Sequence, residues 1–128
     1  MAERIEADGA TVLSKLRLVP VDVTWRFHAG ATATVISSTA VILGELLIHG
    51  QDIARATSHD WRIDELDAAL IISGTRPLMD YWLDPEGRQM LPGILETHHP
   101  VDLVESMFRR DPPASPALAA LVTHIAPI

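Results

Sequence analysis

Residues 31–56, ATATVISSTAVILGELLIHGQDIARA, are the most apolar stretch of this 128-residue chain, and they decide how it folds. The first fourteen, residues 31–44, carry no charge. At 100° per residue, the large aliphatic side chains that follow spread around nearly the whole circumference of a helix. The pattern therefore predicts a helix that begins near Thr32 or Thr34, ends near Thr57 and lies at the centre of a bundle.

Three polar side chains interrupt this apolar helix: Glu45, His49 and Asp52. Their i, i+4, i+7 spacing places them within about 60° of one another on one face. Burying an ionised carboxylate without a partner is costly, so Glu45 is expected to be exposed, protonated, hydrogen-bonded or bound to a cation. Glutamate and histidine four residues apart can ligate one metal ion. The spacing leaves a metal site, a structural pair and simple exposure all open.

The segments around this helix predict a single, mostly helical domain. Residues 3–16 have one apolar stripe, and residues 20–27, PVDVTWRF, alternate as a short extended segment does. Asp64 is a suitable N-cap for a helix running to about Gly74, and Pro77 is expected to start a separate segment. Prolines and glycines predict irregular structure over residues 85–100, followed by two short helices. The expected class is all-α with an irregular C-terminal region.

Composition excludes several function classes. The net charge is −7, and residues 60–111 hold eleven acids against five arginines, so no basic face is available for nucleic acid. The absence of cysteine excludes disulfides, cysteine nucleophiles and thiolate metal sites. The N-terminus lacks the features of a signal peptide, and a membrane span over residues 29–48 would bury the Glu45 carboxylate. These patterns predict a cytoplasmic protein without nucleic-acid or membrane partners.

The segment GELLIHGQDIARATSHDWRID, residues 44–64, resembles the characteristic segment of the mycothiol-dependent maleylpyruvate isomerase family, which belongs to the DinB-like metal-binding helical bundles. That family shows a glutamate, three residues, then His-Gly-x-Asp-hydrophobic-Ala-Arg-Ala. Upstream, VTWRFHAG is similar to a Trp-x-x-His or Pro-Trp-His-Gly-Gly stretch of the family, and the first helix looks like the family helix before it. The resemblance covers roughly residues 1–85, which we expect to form a partial DinB-like domain, with residues 86–128 as an extension packed on it.

The resemblance implies a divalent metal, usually zinc, held by Glu45, His49 and a histidine from an earlier helix of the bundle. The metal would acidify the thiol of mycothiol, which would attack a small electrophilic substrate. Asp52 is expected to accept a hydrogen bond from the ligating imidazole or from a nearby amide. A thiol supplied by a cofactor is consistent with a chain that has no cysteine.

Two departures from the family pattern qualify these expectations. No histidine precedes His28, which is the candidate for an additional ligand, and the C-terminal stretch lacks the alternating strands of the family's α/β region. A bundle without its first helices would expose apolar faces, which favours a homo-oligomer. The chain is therefore expected to be either a metal-binding isomerase or S-transferase relative, or a non-catalytic oligomeric helical protein that keeps the motif as a structural pair.

The remaining histidines offer weaker candidates for function. His98 and His99 follow Glu96 in an E-x-H-H pattern that suits a metal, although the flanking prolines and glycine favour a solvated loop. His59 follows a helix C-terminus, where the dipole favours it, and His124 is expected to be structural.

Overall fold

The computed structural model describes residues 2–27, 30–108 and 113–125. Within these ranges the chain is mostly helical, with one two-stranded sheet, which confirms the all-α class. The helices are α1 (Ala2–Leu16), α2 (Val35–Ala56), α3 (Glu65–Trp82), α4 (Pro85–Thr97), α5 (Pro100–Phe108) and α6 (Pro116–Thr123). The strands β1 (Thr24–Arg26) and β2 (Thr32–Thr34) pair antiparallel, with Trp25 opposite Ala33.

Helix α2 has the bounds that the sequence predicts. Thr34 is its N-cap, and the Thr34 side chain accepts a hydrogen bond of 3.2 Å from the backbone N–H of Ser37. Thr57 is its C-cap, with an N–H that donates to carbonyls of the last turn. A capping hydroxyl of this kind satisfies one of the free N–H groups of the first turn.

Helix α3 starts as predicted but does not stop where predicted. The Asp64 Oδ1 atom accepts a hydrogen bond of 2.8 Å from the N–H of Leu66, as an N-cap should. The expected new segment at Pro77 is wrong, because α3 continues through this residue to Trp82. Pro77 and Ser73, whose carbonyl loses its helical donor, both lie on the exposed side of α3, so the break in the hydrogen-bond pattern is not buried in the core.

The stretch expected to be irregular is helix α4, so this prediction is also wrong. Asp84 caps α4 by accepting hydrogen bonds from the N–H groups of Glu86 at 3.0 Å and Gly87 at 2.8 Å. Pro85 occupies the first turn, where a missing N–H costs nothing. Pro92 lies on the exposed side of the helix. The stabilisation of α4 by its N-cap therefore outweighs the hydrogen bond that is lost at the exposed Pro92.

Helix α3 is the central element of the packing. Its Ile71, Leu78 and Met79 belong to three different core clusters, and each is no more than 2% exposed. The Met79 cluster also holds Leu91 of α4 and Leu118 of α6. The C-terminal helices thus pack on the end of α3.

One side of α2 is open, although the sequence predicted a fully central helix. Ile42, Leu46 and Ile53 are 56%, 64% and 65% exposed. Val12 and Leu13 of α1 are also more than half exposed. Among the described residues, no helix is long and apolar enough to cross a membrane.

Candidate functional site

Glu45 and His49 meet on the surface of α2. The Glu45 Oε2 and His49 Nε2 atoms lie 3.3 Å apart, and the two side chains are 53% and 70% exposed. The preceding residues, Gly44 and Ile48, are buried. Because each step along a helix turns about 100°, the polar pair points to a different side of α2 from these buried residues. The pair that the spacing predicts is therefore present, on a solvated face.

Glu45 also lines a cavity of about 510 Å³. This volume lies within the usual range for small-molecule sites. Among the described lining residues, Glu45 is the only charged one, and the other side chains are apolar or aromatic. The lining residues are Phe27, Val41, Glu45, Trp82, Met107, Phe108 and Ile125. We refer to this cavity as the aromatic groove.

The aromatic groove depends on a glycine of the motif. A Cβ atom at Gly44 would lie 2.6 Å from Cζ of Phe108, which is too close for real atoms. The absence of a side chain at Gly44 therefore lets the end of α5 approach α2. The sequence places Gly44 and Phe108 64 residues apart, so it carries no local signal for this contact.

Trp82, another residue that lines the groove, carries an unusual polar group. Its indole N–H is buried and finds no hydrogen-bond acceptor within the described ranges. Buried donors normally have a partner, and an unpaired one beside a cavity is the type of group that a water or ligand satisfies.

The donor atoms of Glu45 and His49 fit two positions of a zinc site. Two ligands each about 2.05 Å from a tetrahedral ion lie about 3.3 Å apart, which matches the observed separation. No group of three or more metal-ligating side chains converges in the part of the chain that the structure describes. Asp52 is exposed one turn beyond His49, and His28 lies outside the described residues. The described residues thus offer two donor atoms to an ion at this position, whereas a catalytic zinc normally takes three ligands from the protein.

His98 and His99 turn to different partners. His98 Nε2 lies 2.8 Å from the Ser115 hydroxyl, and His99 Nε2 lies 3.4 Å from a carboxylate oxygen of Glu65. These contacts connect α4 to α6 and α5 to α3. Among the described side chains, the histidines of the E-x-H-H pattern therefore do not converge on one point where a metal ion could bind.

Comparison with protein-family models, curated proteins and solved structures gives no match to this chain.

Proposed function

We propose that this chain is a divalent-metal-binding helical protein, related to mycothiol-dependent isomerases and thiol transferases, with the ion held at Glu45 and His49. The observation that carries the proposal is the 3.3 Å separation of their donor atoms at the edge of the aromatic groove. Zinc is the expected ion, since it accepts carboxylate and imidazole ligands together. Asp52 is proposed to orient the imidazole.

The groove suits a small molecule with an apolar body. Its aromatic and aliphatic wall excludes water from such a ligand, and Glu45 places the proposed metal site at the edge of the groove. A bound divalent ion lowers the pKa of a coordinated thiol, which makes the thiol a nucleophile near neutral pH. Because the chain contains no cysteine, that thiol belongs to a low-molecular-weight cofactor such as mycothiol. A small electrophile is the proposed second reactant.

A second candidate function is favoured by a different observation, the open aliphatic side of α2. In this alternative the chain is a non-catalytic helical protein that associates through its exposed apolar side chains and keeps Glu45 and His49 as a structural pair. Exposed pairs of this kind contribute little to stability, so the alternative predicts nearly unchanged folding in either variant of the pair and no bound metal in the wild type.

Metal analysis by mass spectrometry on the purified chain distinguishes these functions. We expect bound zinc in the wild type and its loss in Glu45→Ala and in His49→Ala. The matched controls are His98→Ala and His99→Ala, which remove imidazoles outside the site and should retain the metal. A wild-type chain that takes up no zinc, even when zinc is added, contradicts the metal proposal. If the control variants lose as much zinc as the variants of Glu45 and His49, the ion is not held at Glu45 and His49.

The same measurement on His28→Ala tests the additional ligand. If His28 completes the site, its removal lowers the zinc affinity while the pair at Glu45 and His49 still holds the ion weakly. If His28→Ala binds zinc as tightly as the wild type, His28 is not a ligand and other donors fill the remaining coordination positions of the ion.

A further inference from the structure

We infer that two copies of the chain pair antiparallel through α2 and share one divalent ion, with Glu45 and His49 of each copy as its four ligands. This inference rests on the proposed metal-binding function and adds where the missing ligands come from. It also assigns a partner, a second copy of this chain, to the open side of α2.

The open side of α2 has the pattern of a helix-pairing seam. Positions along it are spaced alternately four and three residues apart over the whole helix, which is the heptad spacing of a and d positions. The residues of this seam are Val35, Thr39, Ile42, Leu46, His49, Ile53 and Ala56. All of them except Val35 are exposed. A complete heptad seam on the outside of a domain is the surface that packs against another helix.

The seam continues onto α3. Ile36 and Leu70 are 54% and 55% exposed, and they line a shallow apolar groove with Val35 and Thr39. A partner helix that lies along α2 therefore contacts α3 as well. The resulting interface contains four helices, two from each copy.

The exposed area of the chain is large enough for such an interface. The chain exposes 8630 Å², whereas a compact monomer of its 14.0 kDa mass exposes about 6,700 Å². The surplus of about 1,900 Å² exceeds the roughly 800 Å² that each partner of a standard interface buries. Pairing through the seam removes part of this surplus, and its aliphatic side chains supply the hydrophobic driving force.

The metal site lacks ligands, and the seam lacks a partner helix, at the same place on α2. Glu45 and His49 supply two donors one helical turn apart, next to Leu46 and close to the middle of the seam. A two-fold axis at this point repeats both donors, because a symmetric interface uses the same patch on each copy. Four donors complete the tetrahedral set that zinc prefers.

The heptad positions determine the direction of pairing. His49 lies within the seam, and Glu45 occupies a g position at its edge. In a parallel pair the two g edges lie on opposite sides of the interface, whereas in an antiparallel pair they lie on the same side. Only the antiparallel arrangement therefore brings both Glu45 carboxylates and both His49 imidazoles to one point.

The same arrangement makes pairing depend on the cation. Glu45 lies on the g edge, so an antiparallel pair brings the Glu45 carboxylates of the two copies to the same side of the interface. Two carboxylates that lie close together repel each other, and a divalent ion between them offsets this repulsion. Metal binding and association therefore strengthen each other by the same factor.

Sedimentation analysis combined with a metal count tests the shared site. With zinc present we expect a dimer that holds one zinc ion per two chains, and with a chelator we expect dissociation toward monomer. Glu45→Ala and His49→Ala should lose the ion. A monomer that holds one zinc per chain overturns the shared site and leaves the proposed function standing. A wild type that binds no zinc overturns both.

The variant Leu46→Glu tests the surface. Leu46 is 64% exposed in the single chain, so the variant should fold normally by circular dichroism and remain monomeric with zinc. Its matched control is Leu18→Glu, at an 83% exposed leucine outside α2, which should dimerise like the wild type. Undiminished dimerisation of Leu46→Glu overturns the inference. The inference is also overturned if the wild type stays monomeric with zinc and Leu46→Glu lowers the stability of the chain. That result would show that α1 of the same chain covers the seam.

Discussion

The side chains of Asp84 and His124 form a clasp between the start of α4 and the end of α6. His124 Nδ1 lies 3.0 Å from Asp84 Oδ2, and the backbone N–H of Asp84 donates to the His124 carbonyl at 3.1 Å. Next to this contact, Leu83 and Ile125 form a β-bridge. The clasp thus holds Ile125 beside the aromatic groove, of which it forms part of the wall.

The clasp shifts the pKa values of both groups in opposite directions. Hydrogen bonds from the Gly87 N–H and then from His124 lower the pKa of Asp84. The hydrogen bond to Asp84 raises the pKa of His124, and this effect outweighs the opposing effect of desolvation. Folding therefore favours the charged form of each partner.

The contribution of the clasp to stability is expected to fail at both ends of the pH range. The part due to His124 is fully present below the ordinary histidine pKa of about 6.5 and is lost as pH rises through the raised value. The part due to Asp84 is present above about pH 4 and is lost as pH falls through its lowered value. The melting temperatures of the wild type and His124→Gln should differ most between these limits. A difference that grows above about pH 8 contradicts this assignment.

The variant Asp84→Asn separates the clasp from the helix cap. Asparagine caps helices as well as aspartate does, but it carries no charge. We expect the His124 pKa, followed by NMR, to fall toward its ordinary value in Asp84→Asn while α4 stays folded. Asp84→Ala should lower the melting temperature further, because it also leaves the N–H groups of Glu86 and Gly87 without their acceptor. An unchanged His124 pKa in Asp84→Asn rules out the clasp.

Gly74 is expected to tolerate no side chain, because α2 and α3 touch there. A Cβ at this position would lie 2.5 Å from the Ala40 Cβ and 3.4 Å from the Ile36 carbonyl oxygen. Gly74→Ala should therefore lower the free energy of unfolding by about 1–3 kcal/mol, as overpacking does. The matched control is Gly93→Ala in α4, where an added Cβ would meet no described atom within 4 Å apart from its chain neighbours and the backbone of its own helix. It should raise stability by about 0.5–1 kcal/mol, and chemical denaturation of both variants checks the opposite signs.

Local patterns predicted the parts of the fold that local forces determine. The bounds of α2 and the cap at Asp64 follow from apolar periodicity and from a side chain that bonds its own backbone. The error at Pro77 has a definite cause, since the cost of proline depends on whether the freed carbonyl meets water, and exposure is a property of the packed molecule. The cap at Asp84 was missed because the prolines and glycines after it dominate the local pattern.

The candidate site was predictable only in part for the same reason. The i, i+4 spacing places Glu45 beside His49 in any helix, and the structure has them in contact. Their exposure depends on which side of α2 faces α3. The aromatic groove joins Phe27, Trp82 and Phe108 from three distant segments. No spacing in the sequence brings those side chains together.

Ser115 is expected to hold the start of α6. Its hydroxyl accepts a hydrogen bond of 3.1 Å from the N–H of Leu118 and lies 2.8 Å from His98 Nε2. Ser115→Ala removes both contacts and should lower the free energy of unfolding by about 1 kcal/mol, the usual value for an N-cap. Ser115→Asn should retain most of the stability by keeping the cap. Equal losses in the two variants would show that the contact with His98, rather than the cap, matters.

The contact between Gly44 and Phe108 connects the motif to the aromatic groove and can be tested by a double-mutant cycle. Gly44→Ala forces the Phe108 ring away from α2, so we expect it to lower the free energy of unfolding by about 1–3 kcal/mol. Phe108→Leu alone removes ring contacts with the core cluster around Ile48 and Val104 and should also destabilise the chain. In the double variant the smaller side chain makes room for the added methyl group, so the combined loss should be less than the sum of the two. Strict additivity in chemical denaturation would mean that the ring does not lie against α2, and that this wall of the groove is formed in another way.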